Sequence, residues 1–115
     1  MREVASEEVL PRFRNLSEDD ISEKSAGELV TVADERAEAA LETGLGALVP
    51  GSVVIGEERT ARDPAVLDAM DNHDGSMWIV DPVDGTQNFA NGKTCFAMIV
   101  AYVRDGVTCA GWILE

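Results

Sequence analysis

From Thr94 to Val103 the chain is apolar in both phases of a two-residue period. Cys95, Ala97, Ile99, Ala101 and Val103 alternate with Phe96, Met98, Val100 and Tyr102. Successive strand side chains point to opposite faces, so this strand needs cover on both sides. Asp105-Gly106 follows, a dipeptide favoured in two-residue hairpin turns, and Val107 to Leu114 supplies the returning strand. In that register Arg104 faces Val107 and Tyr102 faces Cys109. The hairpin therefore belongs inside a sheet flanked by helices or by a second layer.

Upstream, Val9, Phe13 and Leu16 fall at helical spacing within a segment from about Val4 to Leu16, which Pro11 kinks or restarts. Ser17 to Gly27 is acidic and serine-containing, and reads as a mobile loop. Thr31 is a plausible N-cap for a helix to about Thr43, with Ala37, Ala40, Leu41 and Leu45 on one face. Asp34, Glu35 and Glu38 complement its dipole, and Gly44, Gly46 and Pro50 end it. Val53-Val54-Ile55 is a short buried strand delivering Glu57 and Glu58. Asp63 to Met70 reads as a short helix, Asp71 to Gly75 as loop and Met77 to Val80 as a strand.

At 115 residues and 45% hydrophobic, one globular domain is expected, spanning 1–115. The balance of 22 acidic against 9 basic residues argues against nucleic acid and against an anionic membrane as partners. No apolar run approaches the ~20 residues of a membrane span, and the amino terminus lacks a signal-peptide pattern, so a cytoplasmic location is the default. Cys95 and Cys109 lack metal-ligand spacing and read as buried free thiols.

Chemistry concentrates between Trp78 and Phe89, in Trp78-Ile79-Val80-Asp81-Pro82-Val83-Asp84-Gly85-Thr86-Gln87-Asn88-Phe89. A strand ending near Asp81 carries two carboxylates onto a proline-stiffened turn, and a helix starts near Thr86. Helix-start amides would face an anion beside carboxylates able to hold a cation. If Asp81 and Asp84 lie ~4 Å apart, their repulsion is about 4 kcal/mol at an effective dielectric of ~20. Glu57 would worsen it, and a fold stable by only ~5–15 kcal/mol needs compensation from protons or a divalent ion. Oxygen ligands without histidine or thiolate favour Mg²⁺.

This segment resembles the second signature of the inositol monophosphatase family of magnesium-dependent, often lithium-sensitive phosphomonoesterases. Leu29-Val30-Thr31-Val32-Ala33-Asp34 with Glu38, preceded by Lys24-Ser25, and Gly56-Glu57-Glu58 match the family in order and spacing. The resemblance implies an α+β fold: the amino-terminal part of a layered α/β/α/β/α sandwich, with a mostly antiparallel sheet flanked by helices. It implies that Glu57, Asp81 and the Val83 carbonyl hold one Mg²⁺, and that Asp81 and Asp84 hold a second. The Gly85 and Thr86 amides, with Asp81, would bind a small phosphorylated substrate. The Thr86 hydroxyl and Asp34 would orient the attacking water for direct hydrolysis.

Family members are longer, with a Trp-Asp motif in their second half; this chain stops at Glu115. The resemblance thus implies the amino-terminal metal- and phosphate-binding half of such a domain, with weak turnover alone, and allows a homodimer in the complete protein. Inositol monophosphate, histidinol phosphate, sugar bisphosphates and adenosine 3′,5′-bisphosphate stay open as substrates. A non-catalytic, partner-completed module is the competing class. An aspartyl-phosphate mechanism fits less well, because Asp81 and Asp84 are three apart with Pro82 between them. Glu58 orients a ligand or is simply a solvated acid. Lys24 and Ser25 read as ordinary surface, and His73 as solvated. Trp78 and Trp112 suit sheet packing, and Gly92-Lys93-Thr94 lacks the proline of the family's Gly-x-Pro loop.

Overall fold

Strands β3 (Val53–Gly56), β4 (Ser76–Asp84), β5 (Ala97–Arg104) and β6 (Val107–Leu114) form one sheet in the order β3-β4-β5-β6. A computed structural model describes residues 1–25, 27–68 and 75–115. β3 runs parallel to β4, and the other two pairings are antiparallel, as the mostly antiparallel expectation requires. A separate hairpin joins β1 (Ile21–Ser25) to β2 (Glu28–Thr31).

The long helix α2 (Val32–Leu48) lies across the sheet. Its buried stripe of Ala33, Ala37, Leu41 and Leu45 joins Val54, Trp78, Val80, Val83, Met98 and Val100 in the main core. Burying a leucine such as Leu41 is worth ~1.5–3 kcal/mol, which is how a mildly amphipathic sequence becomes a fixed helix. Thr31 caps it as expected, but the helix does not end at Thr43: it runs through Gly44 and Gly46 to Leu48. Each interior glycine costs about 1 kcal/mol, and Leu45 between them is buried, so packing outweighs propensity. The actual break comes before Pro50, where Val49 turns extended.

At the amino terminus, α1 (Arg2–Val4) continues into a wider π-type turn over Ala5–Val9 and a tighter turn over Leu10–Arg12 that holds Pro11. Val9 enters the core, and Phe13 packs on Phe89 and Phe96 with ring centroids 5.6 and 5.1 Å apart. Phe89 is fully buried and meets Phe96 edge-on. The segment therefore pins α4 (Thr86–Ala90), the short helix after the signature.

Several expectations need correction. Ser17 to Gly27 is not a mobile loop: Ser17 and Asp20 form a reciprocal cap over a short turn at Glu18–Asp20, and Ile21–Ser25 pairs with Glu28–Thr31. β4 does not stop near Asp81 but continues to Asp84 through an irregularity. The hairpin strand starts at Ala97, not Thr94.

Arg104 does face Val107, but a bulge shifts Tyr102 onto Ala110 and leaves Cys109 unpaired. Both cysteines are exposed rather than buried, because Cys109 lies on the edge strand β6 and Cys95 in the loop before β5. β5 is also less enclosed than its sequence implies: Met98, Val100 and Val103 are buried, while Ile99 and Ala101 are partly exposed. Trp78 is buried against Tyr102, whereas Trp112 remains 45% exposed. His73, the end of the 63–70 reading and all of the 71–75 reading except Gly75 lie outside the described residues; one helical turn is present at 66–68. No helix among the described residues is long and apolar enough to cross a membrane.

Candidate metal and phosphate site

Because β3 and β4 are parallel, their carboxyl ends open at the same edge of the sheet. Gly56 pairs with Val80, so the next residues, Glu57 and Asp81, emerge side by side. Their carboxyl groups are hydrogen-bonded to each other. The two are 24 positions apart in sequence (81 − 57), and it is strand register that joins them.

The β4 bulge does the rest. Asp81 opposes Ile99 and Asp84 opposes Ala97, so β4 spends one more residue than its partner across this interval. Pro82 has no N–H for the ladder, and both Pro82 and Val83 are buried beneath the turn. Gly85 closes it at φ +89°, where a Cβ would sit 2.9 Å from the Cys95 carbonyl. Only glycine fits there. Thr86 then begins α4, as the sequence led one to expect, and its first N–H groups have no partner within the helix.

Asp34 approaches from the first turn of α2 and is fully buried. Its Oδ2 accepts the Thr31 N–H at 2.9 Å and the Thr31 hydroxyl at 2.6 Å, and its Oδ1 lies 2.8 Å from Thr86 Oγ1. Thr86 Oγ1 is also 2.9 Å from the Val83 carbonyl. A hydroxyl has one hydrogen, so Thr86 donates to one of the two acceptors at a time. Burial raises the Asp34 pKa, against the opposing effect of those hydrogen bonds.

A cleft of about 260 Å³ is lined by Lys24, Glu57, Asp81, Asp84, Gly85 and Thr86, among others. The sequence-predicted residues Glu57, Asp81, Val83, Asp84, Gly85 and Thr86 thus share one cavity, with Asp34 behind Thr86. Among the described residues, however, no three acids are closed into a coordination cluster. Glu57 and Asp81 touch, while Asp84 is exposed at the rim.

The acids are compensated in two ways, by a shared proton and by Lys24. Burial, the shared hydrogen bond and the charges of Glu57, Asp84 and Asp34 push Asp81 up to about 8, so the Glu57–Asp81 pair keeps a proton. Burial opposes ionisation of Glu57 as well, but the hydrogen bonds from Asp81 and Lys24 outweigh it and its pKa falls. The Lys24 ammonium lies 2.9 Å from Glu57 Oε1 and 3.3 Å from Glu58 Oε1. Two expectations change here. Lys24 is not ordinary surface, and Glu58 is not a solvated acid: it is 3% exposed, and burial lifts it to about 7. Lysine at a motif edge carries no local sign of its partners, so sequence reasoning missed the bridge.

The donor set fits a hard divalent cation. Asp81 Oδ1 is buried without a hydrogen-bond partner, a costly state for an oxygen that a cation would satisfy. Glu57, Asp84 and the Val83 carbonyl add further oxygen donors on the same cleft wall.

Comparison with known proteins gives the class. The family model for the inositol monophosphatase family matches residues 1–115, and the chain belongs to that family. An inositol-1-monophosphatase of Mycobacterium leprae is 42% identical over 86 residues, covering 75% of this chain and 28% of that protein. A histidinol-phosphatase of Mycobacterium tuberculosis is 38% identical over 82 residues, covering 71% of this chain and 28% of its own length. The fold of the IMPase of Thermotoga maritima superposes with a TM-score of 0.77 at 24% identity, over 98% of this chain and 40% of that one. The chain thus spans about a third of the curated relatives it matches (28–34% of their length). Its mixed sheet with flanking helices corresponds to the amino-terminal part of their α+β sandwich.

Proposed function

We propose that residues 1–115 form the amino-terminal metal- and phosphate-binding half of an inositol-monophosphatase-like domain that hydrolyses a small phosphomonoester with Mg²⁺. The observation that carries this reading is the Glu57–Asp81 contact with its unpartnered buried oxygen, beside the Gly85–Thr86 turn. Glu57, Asp81 and the Val83 carbonyl would hold one cation, and Asp81 with Asp84 a second. When bound, such ions offset phosphoryl charge and make water a better nucleophile.

The chain's own residues perform the remaining tasks. The Gly85 and Thr86 amides, fixed by the left-handed glycine, bind and orient phosphate oxygens. The Thr86 hydroxyl, held between Asp34 and the Val83 carbonyl, can accept a hydrogen bond from a water or pass a proton toward Asp34. Asp34 is buried and tied on three sides, so it acts from a fixed place.

Inositol monophosphate is the favoured substrate, because relatives named inositol-1-monophosphatase recur among the matches. Histidinol phosphate is the second reading, favoured by the 38% identical relative. Phosphate release from both compounds, with and without Mg²⁺, tests the proposal. Mg²⁺-dependent release that Glu57→Gln abolishes is expected; release that needs no divalent ion, or that survives this change, contradicts it.

A further inference from the structure

Two buried carboxylates stand one helical turn apart on α2, Asp34 and Glu38. Asp34 reaches the α4 side of the cleft, as described. Glu38 reaches the opposite side. Its Oε1 accepts the Glu58 N–H and its Oε2 the Arg59 N–H, each at 2.8 Å. These are first-turn amides of α3 (Glu57–Arg62), the helix whose first residue is Glu57.

α3 cannot place itself. It has six residues, too few to be stable alone, and its N-cap Gly56 offers no side chain. A Cβ at Gly56 would overlap the Glu38 carboxylate, so a larger residue there would have to push Glu38 off the α3 amides. A carboxylate from another helix therefore does the capping. It satisfies two orphan donors and places negative charge at the positive end of the α3 dipole.

We propose that Glu38 is a positioning residue for Glu57, and that α2 serves as a single gauge for the cleft. Asp34 sets Thr86 at one wall, and Glu38 sets Glu57 at the other. The proposal rests on the metal reading above, and its test separates the two.

Glu38→Gln preserves shape, but its NH₂ group donates where an acceptor is needed, so one α3 amide loses its partner. Mn²⁺ affinity, read from the electron paramagnetic resonance of the free ion, is expected to fall roughly 10- to 100-fold, the usual cost of losing an outer-shell partner. A second readout needs no metal. Lys24 and Lys93 are the chain's two lysines; the Lys24 side chain is 13% exposed against Glu57 and Glu58, while Lys93 is exposed. If α3 shifts, acetylation of Lys24 relative to Lys93 rises several-fold in Glu38→Gln. Leu45→Ala weakens the same helix from its core face, away from α3, and leaves both readouts at wild-type values.

Should Glu38→Gln fail to fold, Glu38→Asp keeps both oxygens on a shorter stem and gives a smaller change in the same directions. Mn²⁺ affinity within twofold of wild type, or Lys24 acetylation that does not change, overturns the proposal. If Glu57→Gln binds Mn²⁺ as wild type does, the metal reading fails instead, and the lysine ratio alone decides whether Glu38 holds Glu57.

Discussion

Four acids around the cleft form two pairs that find their partners in opposite ways. Asp34 and Glu38, on α2, have their carboxylate oxygens turned toward N–H and O–H donors supplied by the protein. Asp81 and Glu57, at the strand ends, are turned toward each other, and one Asp81 oxygen has no partner. The first group is held in place by donors of the fold, against the upward pull of burial on both pKa values, while the second is held together by a proton and the Lys24 ammonium. Burial alone thus does not mark a functional acid. An oxygen left without protein donors, as at Asp81, is the one that a cation would satisfy.

This contrast breaks most sharply on paired substitutions. Asp34→Ala strands the Thr31 N–H and hydroxyl, while Thr86 keeps the Val83 carbonyl, and should destabilise the protein by about 2–4 kcal/mol in chemical denaturation. Asp81→Asn removes a repelled carboxyl, and should leave metal-free stability unchanged or raise it by on the order of 1 kcal/mol after solvent screening. Equal losses in both variants would erase the distinction.

Gly85→Ala comes next. At φ +89° with a backbone carbonyl in the way, it should cost about 1–3 kcal/mol and weaken inorganic phosphate binding. A fully stable Gly85→Ala variant would mean that the turn can relax away from this geometry.

The pH dependence sharpens the comparison further. Glu58 at about 7 and Asp81 at about 8 are raised carboxyls, so the fold binds their protons more tightly than the unfolded chain does. That stabilisation is complete below the ordinary carboxylate range and is lost as pH rises through 7 and 8. Metal-free melting temperature should therefore decline between pH 5 and roughly 8.5, and saturating Mg²⁺ should flatten the decline, since it replaces the lost protons. A flat metal-free profile would show that the pair ionises at no cost. The smallest effect is expected at Cys109→Ser on the exposed edge strand, within about 0.5 kcal/mol of wild type by denaturation.

Much of the site was legible because its residues lie at the ends of strands, where a short apolar run and a turn carry their own local signal. Val53 to Ile55 and Met77 to Val80 announced β3 and β4, and Asp81-Pro82-Val83-Asp84-Gly85-Thr86 announced the turn. The bulge within it was not legible, since nothing local says that β5 will keep pairing as far as Ala97. Residues Ser17 to Gly27 looked polar enough to be loop, yet Ile21 and Ser22 find backbone partners at Thr31 and Val30. Gly44 and Gly46 signal a helix end on propensity alone, and the burial of Leu45 overrides that signal. Lys24, Glu38 and Glu58 were the hardest to assign. Their roles depend on contacts across 20 to 34 residues of sequence, and no spacing rule reaches that far.

The most direct test is Mn²⁺ binding by the wild-type chain, Glu57→Gln and Asp81→Asn, titrated side by side at pH 8. The account predicts saturable binding by the wild type and at least roughly 100-fold weaker binding by each variant, a change of ~2.7 kcal/mol. Equal binding by all three would show that the paired carboxyls are not a cation site.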